Sequence, residues 1–218
     1  MNSLLNRAAE SPKRIAVLGF EGIHRYWDPA TAVWTAKILP GEYYVTREAE
    51  AVSTVLGSCI SACIRDPEAG VGGMNHFMLP EDNASGSSSW NTEDGGASTR
   101  YGSYAMERLI NELLKLGARR ERLEVKLFGG GRILTSMTDV GMRNITFVQS
   151  FLKVEGLTIA AQDLGDVFPR RVVYFQESGR VLLKHLRAVE STVVAKSERN
   201  YRDSLGAKPP ENDVELFE

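Results

Sequence analysis

The chain has 218 residues, of which 43% are hydrophobic and 25% are charged, and its formal net charge is −2. This composition is ordinary for a globular protein and lacks the basic excess that nucleic acids and anionic membranes attract. No apolar run approaches the ~20 residues that span a bilayer, and the N-terminus lacks the apolar stretch of a signal peptide, so we expect a cytoplasmic protein with no nucleic-acid partner and no direct membrane insertion.

Composition divides the chain into three regions. Residues 1–31 form an N-terminal arm that ends in an aromatic cluster around Tyr26 and Trp27. Residues 32–190 contain no linker rich in proline, glycine and serine, so they are expected to form one catalytic domain. Residues 191–218 are polar and end in an acidic stretch. That composition predicts a flexible or partner-dependent tail.

Hydrophobic periodicity predicts the strands and helices of the central region. Alternation of apolar and polar residues between turn signals predicts strands at 33–39, 42–46, 52–56, 60–64, 71–79, 123–128, 157–164, 171–176 and 180–186. Apolar residues at helical spacing predict two principal helices, at about 98–116 and 139–154. The segment 81–98 follows neither period, which predicts a loop that could cover a neighbouring site.

The most informative feature is a cysteine followed by a histidine. Cys59 comes directly after a Gly-Ser pair, and His76 is the first histidine beyond it. The residues between them predict a hairpin that turns at Pro67, and a regular hairpin would place Cys59 directly opposite His76, with β-carbons about 4.5–5.5 Å apart. A neighbouring imidazolium lowers the pKa of a thiol into the range of roughly 3.5–7.5, which predicts a resting thiolate. Such a pair is the minimum for nucleophilic catalysis on an amide or ester.

The backbone beside the cysteine is suited to stabilising a negative charge. Gly57 and Ser58 allow a sharp turn that presents amide N–H groups to an oxyanion. Asn75 and Gly130, the latter in a run of three glycines, are assigned to the same substrate neighbourhood. Cys63 lies deeper in an apolar strand and is expected to be a core thiol.

A third group is expected to orient the imidazole. Ser53 and Thr54 lie in the strand that leads to the cysteine turn, and either hydroxyl could accept a hydrogen bond from the ring. The loop 129–131 lacks the lysine and hydroxyl of a phosphate-binding loop, and the two cysteines with His76 lack a fourth zinc ligand. We therefore predict no cofactor and no metal.

Several segments together resemble a known family. They include Lys-Ile-Leu-Pro-Gly-Glu-Tyr at 37–43, Leu-Gly-Ser-Cys at 56–59, Gly-Met-Asn-His-Phe-Met-Leu-Pro at 73–80, Phe-Gly-Gly-Gly at 128–131, Gly-Met-Arg-Asn at 141–144 and Asp-Leu-Gly at 163–165. The chain is similar through them to the CheD chemoreceptor glutamine deamidases of bacterial and archaeal chemotaxis. The resemblance covers most of residues 33–186.

This resemblance implies an α/β layered sandwich of mainly antiparallel sheet with two principal helices and a papain-like Cys-His site. Cys59 matches the family nucleophile and His76 the family base. The family's third residue is a threonine six positions before the cysteine, where this chain has Ser53, with Thr54 one place later. The implied substrate is a glutamine on the cytoplasmic helical bundle of a methyl-accepting chemotaxis receptor, and the CheC phosphatase is a possible further partner.

Two other functions stay open from the sequence. One is a non-catalytic chemotaxis adaptor that binds the receptor or CheC through the same surface. The other is a receptor glutamyl methylesterase, which would use the same Cys-His pair and release methanol instead of ammonia. The residues themselves do not rank these leaving groups, and the resemblance alone favours ammonia.

Overall fold

A computed structural model describes residues 17–80, 97–133 and 140–205. The strands are β1 (His24–Asp28), β2 (Val33–Lys37), β3 (Tyr43–Thr46), β4 (Ala51–Leu56), β5 (Ile60–Asp66), β6 (Val71–Asn75), β7 (Glu124–Gly129), β8 (Ile159–Leu164), β9 (Arg170–Phe175) and β10 (Val181–His185). The helices are α1 (Ala97–Lys115), α2 (Val140–Val154) and α3 (Ala188–Leu205), with a short 3-10 turn at Arg120–Arg122. None of these helices is long and apolar enough to cross a bilayer.

The strands form two five-stranded sheets. Their orders are β1-β2-β4-β9-β10 and β3-β6-β5-β7-β8. Each sheet has one parallel pair, β2 with β4 and β7 with β8, and its other neighbours run antiparallel. Apolar side chains from both sheets and from α1 and α2 form one buried core. The predicted layered α/β fold of mainly antiparallel strands is confirmed.

Part of the expected N-terminal arm belongs to a sheet. β1 pairs along its whole length with β2, and Trp27 packs edge-on against Trp34 across this pair. Arg25 of β1 and the Tyr44 hydroxyl of β3 bind the two oxygens of the buried Glu50 carboxylate. Since β1 and β3 belong to different sheets, this carboxylate ties the arm to both layers.

The end of the described chain also departs from the expected organisation. Residues 191–205, which composition predicts as the start of a flexible tail, lie in α3, whereas 206–218 fall outside the described residues. Val194 and Glu198 are buried, and Tyr201 and Leu205 pack on the core. These four positions share one helical face, so α3 is anchored through a stripe of side chains. Most of the predicted loop, 81–96, also lies outside the described residues.

Candidate active site

Cys59 and His76 meet through a hairpin whose register differs from the predicted one. Ile64 pairs with Gly73, and the turn takes four residues, 67–70, with φ of 64° at Gly70. The longer turn shifts the register by two residues, so His76 is the diagonal neighbour of Cys59 and not its direct partner. Diagonal neighbours remain within reach of longer side chains. The sulfur of Cys59 and a ring nitrogen of His76 lie within 4.8 Å of each other.

The His76 ring is held by Thr54 across the two sheets. Thr54 Oγ1 lies 2.7 Å from His76 Nδ1 and donates to the Ile38 carbonyl at 2.9 Å. Because the single hydroxyl hydrogen goes to that carbonyl, the oxygen accepts from Nδ1–H. The other ring nitrogen, Nε2, then carries a lone pair, and it is buried without a hydrogen-bond partner among the described residues. This is the tautomer that a base beside a thiol requires.

Ser53 and Asn75 lie elsewhere than the sequence interpretation suggested. Side chains alternate along a strand, so Ser53 points to the face of β4 opposite Thr54. The Asn75 side chain accepts from Ala62 N at 2.9 Å and donates to the Ala105 carbonyl at 3.1 Å. Asn75 therefore links β5 and α1, which is a structural arrangement, and its side chain is not directed at Cys59.

Three consecutive amide N–H groups beside the cysteine converge on one carboxylate, that of Glu198 in α3. Gly57 N and Cys59 N donate to its Oε1 at 2.7 and 3.1 Å, while Ser58 N and Oγ donate to Oε2 at 2.7 and 2.6 Å. We call the N–H groups of residues 57–59 the amide nest. Converging backbone donors of this kind bind anions, and here they adjoin a potential nucleophile.

Two peptide planes of the amide nest are held from behind. Gly131 N donates to the Gly57 carbonyl at 2.7 Å and Asn144 Nδ2 to the Ser58 carbonyl at 2.8 Å, and these two peptides carry the Ser58 and Cys59 N–H groups. Gly130 N donates to the Cys59 carbonyl at 2.8 Å, in the peptide that follows the nest. Gly129 has φ of 116°, and a Cβ there would lie 2.0 Å from the Cys59 oxygen. The run of three glycines thus allows the backbone contact that turns the amide N–H groups toward the site.

Two residues of this arrangement were not predicted from the sequence. Asn144 holds the peptide that carries the Cys59 N–H and accepts from Leu79 N at 2.9 Å, and Glu198 occupies the nest itself. Each is a polar residue at a position where helical spacing places apolar residues; Glu198, for example, lies on the same helical face as Val194 and Tyr201. A polar residue within such an apolar stripe was the sequence feature that could have indicated both.

Burial dominates the electrostatics of Cys59 and His76. Burial raises the pKa of the Cys59 thiol well above its ordinary value, and the charge and hydrogen bonding of Glu198 raise it further. Burial lowers the pKa of the His76 imidazole to about 3. Both groups are therefore neutral at pH 7, in contrast to the expected thiolate–imidazolium pair. The difference arises because Cys59 is fully buried, with 0% of its surface exposed, beside the Glu198 carboxylate of α3.

Cys59, His76 and Glu198 offer three donor atoms that lie within 4.8 Å of one another. Zinc commonly takes cysteine, histidine and carboxylate ligands, so the group merits a test for a metal site. Each Glu198 oxygen, however, accepts from two N–H or O–H donors whose positive ends face it. Those dipoles suit an anion and oppose a cation, so the arrangement fits a metal poorly.

A thiol, a base with a free ring nitrogen and a set of converging amides make up the geometry of a cysteine-dependent acyl-transfer site. Residues 78–185 match the family model described as CheD chemotactic sensory transduction. The chain is 55% identical over 191 residues to a protein of Hydrogenovibrio crunogenus, covering 87% of this chain and 97% of that one. It is 51% identical to a protein of Halorhodospira halophila, with 91% and 92% covered, and 44% identical to one of Hahella chejuensis over the full length of both.

Each of these three relatives is named a probable chemoreceptor glutamine deamidase CheD. The chain belongs to the CheD family. Among solved structures, the Bacillus licheniformis hypothetical protein YfiH aligns with a TM-score of 0.36 at 10% identity, covering 58% of this chain and 49% of that one. That likeness is too distant to bear on function.

Proposed function

We propose that this chain deamidates glutamine side chains on the cytoplasmic helical bundle of methyl-accepting chemoreceptors, leaving glutamate and releasing ammonia in the cytoplasm. The observation that carries the proposal is the amide nest next to the Cys59–His76 pair, because it combines a nucleophile, a base and oxyanion donors in one site. The relatives' names supply the receptor as substrate. Family resemblance adds the CheC phosphatase as a further partner, which co-purification with CheC would test.

The first half of the reaction forms a thioester. Nε2 of His76 takes the proton from Cys59, and the sulfur attacks the carboxamide carbon of the glutamine. The oxygen of that carboxamide becomes negative and is bound by the amide nest. Thr54 acts as a positioning residue, because its hydroxyl oxygen holds Nδ1–H and leaves Nε2 as the proton acceptor.

The first half ends when the protonated imidazole gives its proton to the departing nitrogen, which leaves as ammonia, so that the thioester is formed. The second half hydrolyses this thioester. Nε2 of His76 then activates a water molecule, which attacks the thioester carbon and restores the thiol. The balance is one carboxamide and one water consumed, with one carboxylic acid and one ammonia formed.

The direct test is mass spectrometry of a receptor cytoplasmic fragment incubated with the chain, coupled to an ammonia assay. Deamidation adds about 1 Da for each glutamine converted through the thioester. Cys59→Ala is expected to abolish the gain while keeping the fold, as circular dichroism would show. An unmodified fragment that still binds would favour the adaptor, and methanol release from a methylated fragment would favour the methylesterase.

A further inference from the structure

Glu198 is an unusual residue for the place it occupies. It lies in the middle of the buried face of α3, between Val194 and Tyr201, and is 1% exposed. A buried carboxylate loses its hydration and is stable only when its oxygens are fully hydrogen-bonded. An apolar side chain would anchor the helix without that requirement. The glutamate is therefore explained by what it contacts and not by the packing of α3.

Glu198 contacts the groups that are proposed to carry out the reaction. Among the described residues, the four donors to the Glu198 carboxylate all belong to residues 57–59. The carboxylate lies within 4.8 Å of both the Cys59 sulfur and a His76 nitrogen. A glutamate side chain is also the product of the proposed reaction. The carboxylate thus lies where a newly formed product carboxylate would be before it is released.

The backbone of the domain is shaped to admit this helix. A Cβ on Gly57 would lie 2.1 Å from Ile133 Cδ1 and 2.7 Å from Glu198 Oε2, and one on Gly41 would lie 2.8 Å from the Tyr201 hydroxyl oxygen. The Tyr201 hydroxyl also hydrogen-bonds the Tyr101 hydroxyl of α1. Two glycines therefore leave room for two successive inward-facing residues of α3.

The groove beneath α3 is only partly filled. A largely apolar space of about 380 Å³, partly open to solvent, lies between α3 and the strands β2 and β4, with Ile38, Thr54, His76 and Val194 among its lining residues. The groove therefore has room for bulkier side chains than those α3 places in it.

We propose that the groove beneath α3 is the substrate groove, and that α3 lies in it as a tethered analogue of the reaction product. This inference rests on the proposed deamidase function and names the partner that the groove fits. That partner is an α-helical segment with a glutamine at the position of Glu198, an apolar residue four positions earlier and an aromatic or large apolar residue three positions later. The substrate helix and α3 exclude each other, so α3 limits activity until it is displaced.

The sharpest test turns the analogue into a substrate. In the full-length chain, Glu198→Gln replaces the carboxylate by the carboxamide that Cys59 would attack. We expect the introduced glutamine to be hydrolysed to glutamate within the same molecule, with a gain of about 1 Da in the peptide that contains it. The half-time should not depend on protein concentration. The control is the same substitution combined with Cys59→Ala, which should show no gain.

A second test measures the competition. The rate of deamidation of a receptor fragment is compared for the unmodified chain, Glu198→Ala and Asp203→Ala. Asp203 is an exposed acid on the same helix, so its replacement matches the loss of charge without touching the groove. We expect Glu198→Ala to raise kcat/KM by roughly 10- to 100-fold, since the competent fraction of the enzyme increases, and Asp203→Ala to leave it unchanged.

The outcomes separate this inference from the proposed function. If the introduced glutamine persists but both Glu198 variants act faster on the fragment than the unmodified chain, α3 still occupies the substrate groove, and the amide has only weakened its docking. If the glutamine persists and neither variant is faster, while the fragment is deamidated by all chains, the product-analogue role is overturned and the deamidase function stands. If no chain deamidates the fragment, the proposed function fails, and this inference fails with it.

Discussion

Replacing Thr54 by valine tests the arrangement of the catalytic base with little change in side-chain shape. The substitution removes the oxygen that lies 2.7 Å from His76 Nδ1 and the donor to the Ile38 carbonyl. During the reaction the ring becomes an imidazolium, and a hydrogen bond to a charged group contributes about 1.5–3 kcal/mol. Loss of that contribution from the transition state corresponds to a decrease in kcat/KM of roughly 10- to 150-fold.

The same substitution affects stability, because it leaves the buried Ile38 carbonyl without the Thr54 donor. An unsatisfied buried polar group costs about 1–3 kcal/mol, which lowers the midpoint of denaturant unfolding. Thr54→Ser keeps the hydroxyl and should restore most of the activity, whereas a purely structural role of the threonine methyl group would not be rescued. Ammonia release from a receptor fragment and urea unfolding of the same preparations measure the two effects.

Ser53→Ala is the matched control, since Ser53 precedes Thr54 and points to the opposite face of β4. We expect this variant to keep the rate of the unmodified chain. Full activity of Thr54→Val together with a large loss in Ser53→Ala would refute the positioning role of Thr54 and would assign it to Ser53.

Three further outcomes are expected. Glu198→Ala removes a negative charge and a hydrogen-bonding group beside Cys59, which lowers the pKa of the thiol. Alkylation of Cys59 by iodoacetamide at pH 7 should therefore accelerate by about tenfold or more. An unchanged rate would contradict the effect of Glu198 on the thiol. Gly129→Ala places a Cβ 2.0 Å from the Cys59 oxygen, so it should disrupt the amide nest and abolish most of the deamidase activity. Gly156 also has a positive φ, but a Cβ there would meet nothing within 4 Å. Gly156→Ala should therefore cost only about 1 kcal/mol of backbone strain and leave the deamidase activity unchanged. The pKa of His76 is about 3 in the folded chain and near 6.5 in the unfolded chain, so the unfolded state binds the proton first as the pH falls. The free energy of unfolding should therefore decrease as the pH drops from 6.5 toward 3, by about 2 kcal/mol at pH 5. Urea titrations at each pH should show a flatter dependence for His76→Gln.

The sequence predicted the local parts of this site better than its long-range parts. Strands such as β4 follow from alternation, and the donors of residues 57–59 follow from the glycine before the cysteine. The hairpin register was wrong because the turn has four residues and Gly70 supplies its positive φ. Alternation along one strand left Ser53 and Thr54 equally plausible, since only the packing of two sheets shows which side chain reaches His76.

Glu198, which accepts the hydrogen bonds of the amide nest, could not be predicted from local sequence patterns. Glu198 is far along the chain from the residues it binds, in a segment whose polar composition resembles that of a tail. Composition reports the mean character of a segment, whereas the docking of α3 depends on one stripe of Val194, Glu198 and Tyr201. A search for polar residues interrupting such stripes would have drawn attention to both Glu198 and Asn144.

The bonds behind the amide nest determine how the site behaves once α3 is absent. Gly131 and Asn144 hold the peptides that carry the Ser58 and Cys59 N–H groups, and neither residue belongs to α3. These two dipoles therefore keep their alignment when the helix departs, and their orientation is a consequence of folding rather than of substrate arrival. An incoming amide meets a preorganised field, so little reorganisation energy is added to the barrier of the chemical step.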